Sequence, residues 1–123
     1  MIIGVGIDIL EIEHLKKIIA FEKEKFLNYA FTDKEIKYAN KKWRLENLAT
    51  TFTAKEACFK AISQLSQEIC LKEIEILRNE FGKPQINLLG NLSKKFPSNK
   101  FHFFLSSSFN SKCAISFVIV EKN

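Results

Sequence analysis

The sequence predicts an α+β fold in one domain covering residues 1–123. Strand patterns outnumber the helices that could serve as crossovers between them, which disfavours a doubly wound sheet. Their order is one strand, about three helices, a strand pair, a short helix and a second strand pair. A chain of 123 residues that is 46% hydrophobic, with 4 Gly and 2 Pro and no repeat, has material for one core and no disordered segment.

The first strand is MIIGVGIDIL. Alternation puts Ile3, Val5, Ile7 and Ile9 on one face and Gly4, Gly6, Asp8 and Leu10 on the other. Two glycines beside a carboxylate imply that something approaches the backbone closely there. One reading is a ligand at Asp8. The other is a helix packed on the glycines, with Asp8 capping the helix that begins near Glu11.

EIEHLKKIIAF follows, with Ile12, Leu15, Ile18 and Ile19 at helical spacing, and KFLNYAF continues as a second short surface helix. A third helix starts in FTDKEIKYANKKW, where Thr32 and Glu35 form a capping box. NLATTFTAKEACFKAI reads as a long helix, rich in strong helix formers, stopping near Ser63 to Ser66. EIEIL and PQINLL are strands around the turn RNEFGKP, and LGNLSKKF is a short helix. KFHFFLSSS and CAISFVIVE are the last two strands, turning at Phe109 to Lys112.

On the long helix, at about 100° per residue, Leu48, Phe52, Phe59 and Ile62 share an apolar arc, while Thr53, Glu56 and Lys60 share a flank. Glu56 and Lys60 could form an ordinary surface ion pair across one turn. Lys55 falls inside the apolar arc. There it must either snorkel to water or meet a carboxylate or an anionic ligand. Carboxylates from separate elements with lysines nearby, as Asp8 and Glu56 would be with Lys60, suit an Mg²⁺ that also takes phosphate oxygens, an arrangement fitted to phosphoryl transfer.

Nineteen Lys and Arg against fourteen Asp and Glu give a net charge of +5, which favours an anionic partner. The lysines are scattered and accompany no reading motif, so nucleic acid is disfavoured. Cys58, Cys70 and Cys113 lack metal-ligand spacing and read as reduced, mostly buried thiols of a cytoplasmic protein. No signal peptide or membrane span is expected.

Taken in order, GVGIDILEIE (4–13), FTDKE (31–35), TAKEACFKA (53–61), FGKP (81–84) and AISFVIVE (114–121) resemble the holo-acyl-carrier-protein synthases, small bacterial phosphopantetheinyl transferases. The likeness runs nearly end to end. It implies Mg²⁺-dependent transfer of 4'-phosphopantetheine from coenzyme A to a serine of apo-acyl carrier protein, releasing adenosine 3',5'-bisphosphate. It also implies that Asp8 and Glu56 ligate the metal and that Lys60 contacts phosphate. Coenzyme A is expected against Lys60, Gly82, Lys83, Pro84 and Ser108, lying between the subunits of a homotrimer. The acidic carrier is expected on the helix at residues 11 to 20, near His14, Lys16 and Lys17.

The chain departs from the pattern at four places. His14 and Thr51 stand where the family has arginines, and each removes a fixed cation. Ser63, Gln64 and Leu65 replace a glycine-rich turn. Ser108 and Phe109 align with a Ser-His pair, so Phe109 either contacts the adenine end of coenzyme A or plugs the hairpin against Phe103 or Phe117. Two other functions compete: a basic, noncatalytic binding module in which Asp8 and Glu56 are structural, and a metal-dependent enzyme using another diphosphate donor.

Overall fold

The computed structural model describes residues 1–66 and 69–123. Strand β1 (Ile2–Glu11) leads into α1 (Ile12–Glu22), α2 (Glu24–Ala30), α3 (Asp33–Lys41) and the long α4 (Arg44–Ile62). A 3₁₀ turn at Leu71–Glu73, not anticipated from the sequence, precedes β2 (Ile74–Arg78) and β3 (Pro84–Leu88). Then come α5 (Gly90–Lys95), β4 (Phe101–Phe109) and β5 (Cys113–Lys122). The α+β expectation holds. β1, β5 and β4 form one antiparallel sheet in that order, and β2 pairs antiparallel with β3 in a second.

Local chemistry explains the helix boundaries. The Glu35 amide donates to Thr32 Oγ1 at 3.3 Å and the Thr32 amide to Glu35 Oε1 at 2.8 Å, so the capping box opens α3 as expected. The chain breaks between α1 and α2 at Lys23, and Trp43 caps the start of α4, both in the left-handed region with φ of 53° and 55°.

The glycine face of β1 is filled by α4. A Cβ on Gly4 would lie 2.0 Å from the Ala61 carbonyl oxygen, and one on Gly6 would lie 1.9 Å from that of Ala57. The glycines therefore admit a helix backbone, and the reading in which they make room for a ligand is corrected. Asp8 does not cap α1 either, since Glu11 occupies the cap position and no side chain caps that end.

Two cores flank α4. Ala54, Ala57, Cys58 and Ile62 meet Ile74, Leu92 and Val118 in one. Leu48 and Ala49 meet Leu15, Phe26 and Phe31 in the other. The isoleucine row of β1 faces outward: Val5, Ile7 and Ile9 are 56%, 54% and 63% exposed. A bulge between Ile2 and Gly4 turns Ile3 out of that row, and it packs against the first core. Of the cysteines, Cys58 is buried, its thiol pushed up to about 12 by desolvation, but Cys70 is exposed, contrary to expectation. No helix among the described residues is long and apolar enough to cross a membrane.

Candidate active site

Close approach of α4 to β1 brings the predicted acidic pair and its lysine together. Asp8 faces α4 from the same side of β1 as Gly4 and Gly6. The Lys60 ammonium donates to Asp8 Oδ1 at 3.1 Å and to the Ile7 carbonyl at 2.9 Å. Lys60 thus pairs with Asp8, and the expected Glu56–Lys60 ion pair is not formed. With the Lys60 side chain half exposed, the contact contributes at most about 1 kcal/mol to folding. Its use is positional.

Glu56, one turn before Lys60, completes the cluster. Burial first, and then the negative charge of Asp8, push its carboxyl above the ordinary carboxylate range, while Lys60 pulls it back. Two carboxylates from different elements therefore repel one another across a partly desolvated gap. A divalent cation would relieve that repulsion, and the donor set is of the hard oxygen type that Mg²⁺ takes, with open positions left for water or phosphate oxygens.

Lys55 does not snorkel; it meets a carboxylate, as its place on the apolar arc demanded. It is fully buried and donates to Glu35 Oε1 at 2.5 Å and to the Ala30 carbonyl at 2.6 Å. Burial opposes the charge on both partners, lowering Lys55 and raising Glu35, and their mutual attraction works against it. Glu35 Oε2 also accepts the Ile76 amide at 2.7 Å. One buried carboxylate thus joins the start of α3, the middle of α4 and strand β2. The capping motif announced Glu35 only in its local role; the signal for the rest was a lysine on an apolar arc, which demanded a partner. Thr53 keeps to the flank it shares with Glu56 and Lys60, facing the sheet that carries Asp8. Its hydroxyl lies 2.8 Å from that of Ser116, which in turn lies 2.8 Å from Ser107, linking α4 to the sheet.

The remaining predicted residues make no hydrogen bond or ion pair with this cluster, although Ser108 lines a cavity of about 150 Å³ with Ile7 and Ser116, the neighbour and the strand partner of Asp8. Gly82 has φ of 80° in the β2–β3 turn, where Asn79 Oδ1 accepts the Phe81 and Lys83 amides at 2.9 Å each. Lys83 is exposed, and Pro84 opens β3 opposite Arg78. Ser108 is exposed on β4 opposite Ile115. No hydrogen bond or ion pair among the described residues joins these four to Asp8, Glu56 or Lys60. Phe109 is 45% exposed and lines a cavity of about 320 Å³ with Tyr38, Lys41, Lys42, Trp43 and Asn47. It stacks on neither Phe103 nor Phe117.

Residues 4–116 match the 4'-phosphopantetheinyl transferase superfamily. The chain is similar to the holo-(acyl-carrier-protein) synthase of Clostridium botulinum strain Eklund 17B, 41% identical over 122 residues and 98% of each chain. Among solved structures it is similar to holo-(acyl-carrier-protein) synthase of Neisseria meningitidis, with TM-score 0.87 and 26% identity over 99% of this chain and all of that one. It is likewise similar to the Helicobacter pylori synthase in complex with coenzyme A, with TM-score 0.82 and 30% identity over 95% of this chain and 99% of that one.

Proposed function

The chain belongs to the 4'-phosphopantetheinyl transferase superfamily and transfers phosphopantetheine from coenzyme A to apo-acyl carrier protein; on that premise we propose how its residues do so. Residues 1–123 act as one transferase domain. Asp8 and Glu56 would hold one Mg²⁺, the acceptor is a carrier serine, and adenosine 3',5'-bisphosphate leaves. The observation that carries this reading is the placement of Asp8 on β1 against α4, where Lys60, one turn beyond Glu56, donates to its carboxylate at 3.1 Å.

A magnesium ion held there supplies neutralisation of the charge on the coenzyme A diphosphate. Lys60 keeps Asp8 oriented and presents its one remaining N–H donor to a phosphate oxygen, steadying charge as the phosphoryl group moves. Gly82, Lys83 and Pro84, with Ser108, contact coenzyme A from a second surface. They make no direct contact with the carboxylates in this chain, which fits a donor lying between the subunits of a homotrimer.

The outward sheet face supports a homotrimer. Val5, Ile7 and Ile9 run beside Ile115 and Phe117, which are 37% and 40% exposed, and Phe104 on β4 is 54% exposed. So continuous an apolar surface on one sheet calls for a covering partner. The acidic carrier docks on α1 near His14, Lys16 and Lys17, beside a groove of about 640 Å³ between α1 and α2 that Lys17 and Lys25 border and Ile18, Phe21 and Tyr29 wall. A reducing cytoplasm is supported by the free thiol of exposed Cys70.

Mass spectrometry of apo-carrier incubated with the protein, coenzyme A and Mg²⁺ tests the whole reading. The carrier should gain one phosphopantetheine, and the gain should vanish with a chelator and in Asp8→Ala or Glu56→Ala. Near-native turnover in either folded variant would overturn the metal assignment.

A further inference from the structure

We propose that Thr53, Ser116 and Ser107 are positioning residues for the transfer: their hydroxyls clasp α4 to the sheet in the row of Asp8 and so set the gap between Asp8 and Glu56 in which one Mg²⁺ is held. The proposal rests on the transferase reading and adds to it the parts that align its two carboxylates. The sheet supplies the row. Asp8 on β1 is the register partner of Ser116 on β5, and Ser116 is the partner of Ser107 on β4, so the three stand side by side across three strands. Thr53 lies over them from α4, its hydroxyl 2.8 Å from that of Ser116, which lies 2.8 Å from that of Ser107.

The clasp falls where the backbone contact between α4 and β1 ends. Ala61 covers Gly4 and Ala57 covers Gly6, four helix residues for every two strand residues. The next step sets residue 53 over residue 8. There a carboxylate replaces bare glycine, and the contact passes to the neighbouring strand, where Thr53 meets the partner of Asp8. Bond lengths give the hydroxyls a direction. Thr53 Oγ1 donates to the Thr50 carbonyl at 3.0 Å, a shorter bond than the 3.4 Å from Ser116 to the same oxygen, so Ser116 donates to Thr53 and Ser107 to Ser116. Each hydroxyl proton is thereby engaged, and the clasp acts on Asp8 through the backbone of its strand partner.

Glu56 is the residue that needs such a clasp. No hydrogen bond or ion pair among the described residues holds its carboxylate, so its place follows from α4 alone. The helix is fixed about one turn to either side of it, by Thr53 on Ser116 before and by Lys60 on Asp8 after. At about 100° per residue, positions 53, 56 and 60 lie within about 60° of arc, so both joints bear on the flank that carries Glu56. The Lys60 joint is half exposed, whereas Thr53 and Ser116 are 0% and 1% exposed, where water does not compete for the bond. Apolar packing would hold α4 against the sheet without fixing its slide along the strands; a directional bond fixes it. Mg²⁺ demands near-ideal placement of its oxygens, so the spacing of the carboxylates matters more than the strength of the joint.

The test is calorimetric titration of Mg²⁺ into protein saturated with coenzyme A, without carrier, read beside the melting temperature and the transfer rate. Thr53→Val keeps nearly the same shape and removes the hydroxyl. It should raise the Mg²⁺ dissociation constant about threefold to tenfold, as loss of one buried hydrogen bond predicts, and transfer lost at low Mg²⁺ should return as Mg²⁺ is raised. Thr53→Ser keeps the hydroxyl and should keep the affinity, even if it melts earlier. If Thr53→Val does not fold, Ser116→Ala leaves Thr53 its bond to the Thr50 carbonyl and should show the same loss. Unchanged Mg²⁺ affinity in a folded Thr53→Val or Ser116→Ala variant, or equal losses in Thr53→Val and Thr53→Ser, would overturn the proposal and leave the hydroxyls a role in stability alone. Mg²⁺ binding by the unaltered protein with no transfer to the carrier would instead refute the transferase reading, and the same variants would still decide the clasp. Absence of Mg²⁺ binding by the unaltered protein would overturn both.

Discussion

Lys60 holds Asp8 and the carbonyl of the residue before it at once, which biases the carboxylate toward α4. Glu56 is held less firmly and is correspondingly sensitive to charge. Its raised pKa means that the folded protein keeps a proton where the unfolded chain has lost it. That contribution is fully present below the ordinary value of 4.5 and is lost as pH rises through the folded value. In chelator, the melting temperature of the unaltered protein should therefore decline relative to Glu56→Gln as pH rises through that window. Mg²⁺ should narrow the difference, because the cation replaces the proton between the carboxylates. Parallel melting profiles for the two proteins, with and without the ion, would show that Asp8 and Glu56 do not share a site.

The elements that carry these residues are joined by one close contact and one buried pair. Gly6 and Ala57 let a helix backbone touch a strand backbone, and no side chain fits between them. Gly6→Ala should cost about 1–3 kcal/mol or more through overpacking, read as a lower denaturant midpoint. It should also weaken Mg²⁺ binding by prising α4 from Asp8; a variant that loses stability but keeps full metal affinity would separate the two effects. Lys55→Met tests the other joint. Removing the ammonium strands Glu35 in the core, a loss of about 3–5 kcal/mol, whereas Lys55→Met with Glu35→Gln should recover part of it because the side chain is then uncharged and its one oxygen still accepts one of the Thr32 and Ile76 amides. Equal melting of the single and double variants would mean that the buried charge is not what makes the loss.

These joints mark the limit of what the sequence makes legible. Helix and strand periods are local, so α1 to α5 and β1 to β5 are readable from a few residues at a time. The side of β1 that faces the core is not, because alternation names two faces without saying which is covered; the apolar face lies outward here because α4 needs the glycine face. Lys55 shows the same limit. Its place on an apolar arc demands a partner, but Glu35 lies twenty residues away and already has a capping role. Asp8, Glu56 and Lys60 were legible as a set through family resemblance, whereas the 3.1 Å hydrogen bond from Arg78 Nη2 to Thr51 Oγ1 was not, since it joins residues 27 apart on β2 and α4.

At the scale of the whole molecule, the outward face of the main sheet decides whether one chain can work alone. Ile7 stands at its centre, opposite Phe117, with Val5 and Ile9 on either side. These side chains lie away from the α4 interface, so changing one should leave the fold intact while altering what the sheet can pair with. Ile7→Lys places a charge in the middle of the proposed subunit contact, where it would have to be desolvated without a partner. Light scattering should report trimers for the unaltered protein and monomers for the variant, with circular dichroism unchanged. If coenzyme A bridges subunits, transfer should fall with the trimer and return as protein concentration rises, since mass action reassembles the site. A monomeric variant with full, concentration-independent activity would place both halves of the donor site within one chain.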